Sequence, residues 1–259
     1  MNLLGVQLRK MYQRKDIKVA YLLFLAVPLV VAFLIKSESN IITIGDSIFS
    51  GIGYVSVVLG LLKGLFVFYI LIFLFTTSLI SGEIDSMNDA VYYCKVEKRS
   101  SIITSKINAL VIMSFLLIMD ICFSASLGWM FFLRNSKFGS MNYFSTSLEE
   151  NQFMIMMIVF SFIEIVVLML ISANMSLFLS QGKALMGSFL IIIIFKLIAN
   201  IDGVQKFVPT YIGNLTSVME LSGKKFWNGV LEEGLIFLAY IIVMVIMLIN
   251  KYKRMDYVR

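Results

Sequence analysis

The chain of 259 residues has no histidine, two cysteines, two prolines and two tryptophans, and only 15% of its residues are charged. Without imidazole there is no general base for a Ser-His-Asp-type site, no physiological-pH proton shuttle, and none of the commonest zinc ligand. We therefore expect no catalytic residue and no metal or cofactor site in this chain. Cys94 stands in a basic polar stretch and Cys122 inside an apolar run, so both read as free thiols rather than a disulfide. Pro28 lies within the first apolar run and Pro209 in the last polar segment; there is no proline-rich linker, no internal repeat and no low-complexity tract. A soluble domain carries about 25% charged residues. Against that figure, the 15% charged and 59% apolar residues here point to an all-α integral membrane protein.

A membrane helix needs about 20 mostly apolar residues. Six runs qualify, Val19–Ile35, Gly51–Ile80, Ile102–Leu133, Phe153–Leu179, Ala184–Ala199 and Leu231–Ile249, within a single transmembrane domain covering the whole chain. The second and third are too long for one simple crossing, since 30 helical residues extend about 45 Å against a hydrocarbon core of about 30 Å. Gly51, Gly53, Gly60 and Gly64 predict a break in the outer part of the second run. The fifth is short enough to suggest a thinned or partial crossing. Before the first run, residues 1–18 are polar and amphipathic, with no small-residue cleavage site, so no removable signal is expected there.

The charge pattern orients the spans. With the N-terminus inside, segments 1–18, 81–106, 180–183 and 250–259 hold fourteen of the 22 Lys+Arg, and the opposite segments hold six. Lys63 and Lys196 remain within the apolar runs. This asymmetry places both termini on the cytoplasmic side. The +6 net charge thus reports membrane orientation rather than nucleic-acid binding. Trp129, Tyr211 and Trp227 near the opposite boundary read as interfacial anchors.

Motifs for hydrolysis are lacking. A phosphate-binding loop reads Gly-x-x-x-x-Gly-Lys-Ser/Thr. Gly182-Lys183-Ala184 and Gly223-Lys224-Lys225 lack both its leading glycine and its hydroxyl residue. Leu221-Ser222-Gly223 resembles the start of an ABC signature but is not continued by Lys224-Lys225. Glu149-Glu150 and Glu232-Glu233 read as solvated helix starts, where carboxylates suit the helix dipole.

The polar segment after the second run carries acidic residues at Glu83, Asp85 and Asp89, an apolar face of Met87, Ala90, Val91 and Cys94 at helical spacing, a basic turn at Lys98-Arg99-Ser100, and Lys106 opening the third run. By itself this is a short amphipathic helix, resting on headgroups or touching a partner. Together with the basic helix before the first of six spans, the long mixed segment 200–230 before the last, and the tail Lys251-Tyr-Lys-Arg-Met-Asp256, it resembles the membrane subunits of type-2 ABC exporters across the whole chain. Glu83 matches that family's acidic position, Lys98-Arg99-Ser100 its basic turn and Lys106 its final lysine; the Gly-Thr-Leu stretch and the proline before the turn are absent here. The resemblance implies an elbow helix at residues 1–18 and a cytoplasmic coupling segment at 83–101. In that segment Glu83, Asp85, Met87, Asn88, Ala90, Val91, Tyr92 and Cys94 would dock on an ATPase. It further implies an outer segment at 200–230, of a kind often re-entrant in that family, two separate ATPase subunits binding ATP and Mg, and a second permease copy or paralogue. The location implied is a bacterial cell membrane. An apolar or amphipathic cargo, a secreted or antimicrobial peptide ahead of lipid, follows from short outer loops and few polar positions in the bundle.

Four charges interrupt the apolar runs: Lys63, Asp120, Glu164 and Lys196. Each costs about 2.5–3.5 kcal/mol to insert near the bilayer centre. Counted from the inner ends, all lie about 18–25 Å deep at 1.5 Å per residue. Lys63 with Asp120 and Glu164 with Lys196 are the expected pairs between neighbouring spans. Stapling of helices, solvation at a broken second span and contact with cargo or gate are all open roles for them. The methionines of the fourth run, Met154, Met156, Met157, Met169 and Met175, read as apolar filler or as a pliable surface. Rival readings are an ion-coupled carrier or channel using the four charges, and a membrane scaffold of the same shape.

Overall fold

The computed structural model describes residues 3–37, 49–85, 99–219 and 221–254. Among them the regular elements are all helical: α1 (Leu3–Gln13), α2 (Lys15–Lys36), α3 (Gly51–Gly64), α4 (Phe66–Asp85), α5 (Arg99–Gly128, ending in a wider π-turn at Trp129–Leu133), α6 (Leu148–Ser176), α7 (Gln181–Ile198), α8 (Pro209–Ile212) and α9 (Gly223–Lys253). Six of these, α2, α4, α5, α6, α7 and α9, are long and apolar enough to cross a membrane. That is the architecture of a multi-pass membrane protein, as the hydropathy of the sequence predicts.

The second run breaks where its glycines predicted. Gly64 ends α3, and Leu65 is extended at φ −79° and ψ 112°, so α4 restarts one residue later. Glycine has no side chain to hold the turn rigid, and the carbonyls of α3 beyond Leu61, which still accepts from the Leu65 N–H, lose their helical partners at the break. Other boundaries differ from the hydropathy. α2 begins at Lys15 rather than Val19, because Arg14 is extended and its guanidinium holds the Asp16 carboxylate at 2.7 Å, turning the chain out of α1. α9 begins at Gly223 rather than Leu231. Its first turns are amphipathic, with Phe226 and Val230 buried and Lys224, Lys225 and Asn228 exposed, so helical spacing continues beyond the apolar run.

α6 is the centre of the bundle. It packs against α3, α4, α5, α7, α8 and α9, while α2 and α1 lie on the far side of α5. Ser147 starts it by accepting a hydrogen bond from the Glu150 backbone N–H, with Glu149 and Glu150 in the first turn. That is the capping pattern in which a hydroxyl and nearby carboxylates answer the free N–H groups of a helix start. The segment between α7 and α9, for which the resemblance implies an outer segment of a kind often re-entrant, packs into the bundle over part of its length. Val208, Thr210, Ile212, Leu215 and Val218 are all buried there. α8 touches both α6 and α7.

Pro28 removes a backbone donor from the middle of α2. Neighbouring helices supply hydroxyls to carbonyls of the same turns: Ser124 donates to the Leu25 carbonyl, and Tyr54 donates to the Pro28 carbonyl at 2.5 Å. In hydrocarbon, where no water reaches such groups, these bonds tie α2 to α5 and α3 beside the proline. The close approach depends on Gly128, where a Cβ would stand 3.2 Å from both the Pro28 carbonyl oxygen and the Ala32 Cβ. Gly128→Leu is expected to lower stability by about 1–3 kcal/mol through overpacking of α2 on α5. A thermal-unfolding scan in one detergent checks it, with Gly182→Ala, which meets nothing within 4 Å, as the silent comparison.

Candidate functional site

The break in the second span brings Lys63 to the centre of a buried polar cluster. Its ammonium has three N–H donors, and each has a partner: the Glu164 carboxylate (Oε2) at 3.1 Å, the Ser161 hydroxyl at 3.0 Å and the Gly213 carbonyl at 2.9 Å. Glu164 accepts a second bond on Oε1 from the Tyr69 hydroxyl at 2.8 Å. The side chain of Lys63 is 4% exposed and that of Glu164 0%, so the pair has left solvent altogether. A buried ion pair persists only when the remaining donors and acceptors are also satisfied, and here the hydroxyls of α4 and α6 and a carbonyl beside α8 do so.

Lys196, in the last turn of α7, takes a different part. Its ammonium donates to the backbone carbonyl of Lys63 at 3.0 Å and lies 4.4 Å from the Phe66 ring centroid. A cation at the C-terminal end of a helix meets both its free carbonyls and the negative end of its dipole. Lys196 thus caps the half-helix that ends at Gly64. Gly213 is required by the same crowding: a Cβ there would be 2.0 Å from Glu164 Oε2.

The pairing differs from the one expected between neighbouring spans. Lys63 joins Glu164 rather than Asp120, and Lys196 reaches the Lys63 carbonyl rather than ion-pairing with Glu164. The reason is the break: α3 packs against α6 as well as α5, so Lys63 at its last turn faces α6. Asp120 stands apart on α5, half-buried, with Oδ2 lacking a hydrogen-bond partner among the described residues. Sequence reasoning missed Tyr69, Ser161 and Gly213, which are ordinary residues until the fold places them around Lys63.

A second polar network ties the opposite, basic end of the bundle. Glu83, near the end of α4, bridges Lys10 of α1 through Oε1 at 3.0 Å and Lys106 of α5 through Oε2 at 3.0 Å. Lys106 is completely buried. Asp85 accepts the Gln181 backbone N–H at 3.1 Å, answering a free donor at the start of α7. Ser81 donates to the Leu179 carbonyl at 2.7 Å, which fastens the α6–α7 connection to the same place. Of the other residues expected to dock on an ATPase, Met87, Asn88, Ala90, Val91, Tyr92 and Cys94 lie outside the described residues, as does Lys98 of the basic turn; Arg99 opens α5.

The two glutamate pairs separate. Glu149 and Glu150 sit exposed in the first turn of α6, as expected, with Ser145 donating to Glu150. Glu232 is exposed, but Glu233 is buried and accepts a hydrogen bond from Ser217. The expectation of a solvated helix start fails for Glu233, because α9 begins ten residues earlier and the inward segment 208–218 covers it.

Removing one member of the Lys63–Glu164 pair leaves an uncompensated buried charge, which costs about 3–5 kcal/mol. Lys63→Met and Glu164→Gln are each expected to lower thermal stability strongly, the double variant to recover much of the loss, and Asp120→Asn to change little. A double-mutant cycle on the purified protein measures the coupling, and additive losses would remove the pair from the account.

Comparison with known proteins attaches no family to this geometry: no protein-family model matches the chain, and no curated protein matches it.

Proposed function

We propose that this chain is the membrane-spanning subunit of an ABC exporter, in which a separate ATPase drives movement of the helix bundle. The observation that carries the reading is the Glu83 bridge. α4 ends at Asp85, two residues beyond Glu83, and α5 opens at Arg99, about two helical turns before Lys106. Glu83 and Lys106 are ion-paired, and Glu83 also holds the N-terminal helix through Lys10. A partner pressing on residues 86–98 would therefore push on α1, α4 and α5 at one point. This fits a coupling segment and an elbow helix, with both termini cytoplasmic in a bacterial cell membrane. ATP and Mg belong to the partner chain, and a second permease copy or paralogue completes the pathway.

The cargo is an apolar or amphipathic peptide. Supporting this, two grooves of about 370 and 480 Å³ flank Glu150 and Met154 at the acidic end of the bundle. They combine a carboxylate and hydroxyls with pliable methionine and phenylalanine, a surface suited to amphipathic chains. A carrier reading is favoured by one observation, the membrane-embedded cluster of Lys63, Glu164 and Lys196. Transport that stops when the proton gradient is dissipated while ATP persists would select it.

The test is a pull-down of the detergent-solubilised chain from its host. An ATPase is expected with the wild type and is expected to be lost with Ala90→Asp/Val91→Asp, while the variant remains folded and monodisperse. Absence of any ATPase under conditions that keep membrane complexes intact removes the exporter mechanism.

A further inference from the structure

The C-terminal half of α9 changes character along one face. Val243, Ile246 and Met247 are exposed apolar residues, 52%, 53% and 52% accessible. At the next helical steps of three and four residues come Asn250 and Lys251, then Arg254, all exposed. The face thus runs from hydrocarbon-like through amide to cationic in about three turns, the order of polarity met on moving from the acyl region of a bilayer to its headgroups.

At its polar end this face borders a groove of about 380 Å³ lined by Asn174, Phe178, Met247, Asn250, Lys251 and Arg254. The opposite wall comes from the end of α6. Asn174 donates to the Leu170 and Met244 carbonyls and so fixes α6 against α9 at the bottom of the groove. Phe178 is 58% exposed, and the Lys251 ammonium rests 4.6 Å from its ring centroid. No carboxylate among the described residues is within ion-pair distance of Lys251 or Arg254, whereas Lys10, Arg14, Lys63 and Lys106 each have one. The groove also lies at the bundle end where the sequence concentrates its Lys and Arg.

We infer that the groove between the ends of α6 and α9 is a binding site for an anionic phospholipid, with Lys251 and Arg254 holding the phosphate and the Val243–Ile246–Met247 face lying along an acyl chain. Charge complementarity selects the headgroup, since each basic side chain near a membrane surface contributes about fivefold in affinity for anionic lipid. The apolar stripe selects a lipid over a free phosphate, which would gain nothing from it. Phe178 gives Lys251 a resting place when the headgroup is absent, because a cation over an aromatic face is stabilised without a counter-ion. Occupancy would join α9 to α6, and α9 is the span least enclosed by the rest of the chain together with α7. The inference stands on the membrane architecture and is independent of the exporter reading.

The experiment uses the full chain, stripped of lipid in detergent and titrated with fluorescent phosphatidylglycerol and phosphatidylcholine of equal chain length. Wild type is expected to prefer phosphatidylglycerol by about tenfold or more, two cations at about fivefold each. Lys251→Gln/Arg254→Gln is expected to reduce the preference to about twofold, whereas Lys15→Gln/Lys18→Gln, which removes the same charge from exposed positions on α2, retains it. Millimolar inorganic phosphate is expected not to displace the lipid. The inference is overturned if the groove variant keeps the full preference, if the α2 variant loses it equally, which would mean diffuse surface charge, or if phosphate alone competes, which would mean a free-anion site.

Discussion

The Lys63–Glu164 ion pair is the constraint around which the half of this bundle away from its basic end is arranged. A lysine and a glutamate at 0–4% side-chain exposure cannot be left to solvent, and the surroundings are organised to satisfy them. The second span breaks one residue after Lys63, which frees the Lys63 carbonyl for Lys196. The polar segment after α7 folds inward so that the Gly213 carbonyl completes the ammonium. Tyr69, one turn into the restarted helix, completes the carboxylate. Four pieces of chain far apart in sequence, α3–α4, α6, the end of α7 and the segment around α8, meet at this one pair. Its net worth relative to a purely apolar core is small or negative on general grounds. It joins α3 to α6, and the Gly213 carbonyl ties the segment around α8 to both.

α4 connects this cluster to the basic end of the bundle. It holds Tyr69 against Glu164 near one end and Glu83 against Lys10 and Lys106 near the other. The fourteen residue steps from Tyr69 to Glu83 span about 21 Å of continuous helix at 1.5 Å per residue. Under the proposed exporter mechanism, displacement of Glu83 by a docked ATPase would reach the break in the second span along a single element. The helices that bury least of their surface, α7 and α9, are the ones with faces left for lipid or for a second subunit.

The sequence alone determined the all-helical membrane class, the six long apolar helices, the basic and acidic ends, and the break near Gly64, because each depends on local quantities: the length of an apolar run, the sign of nearby charge, the flexibility of glycine. The positions of the four intramembrane charges were legible for the same reason. Their partners were not. Pairing by depth on neighbouring spans assumed straight helices, and a single extended residue at Leu65 turned Lys63 away from Asp120 and toward Glu164. The burial of Glu233 was likewise hidden, since a glutamate pair at the edge of an apolar run looks the same in sequence whether it starts a helix in solvent or lies under a neighbouring segment. Only the tertiary structure decided these matters: a buried charge accepts whichever donors and acceptors the packing brings within about 3 Å, and no spacing along the chain encodes that distance.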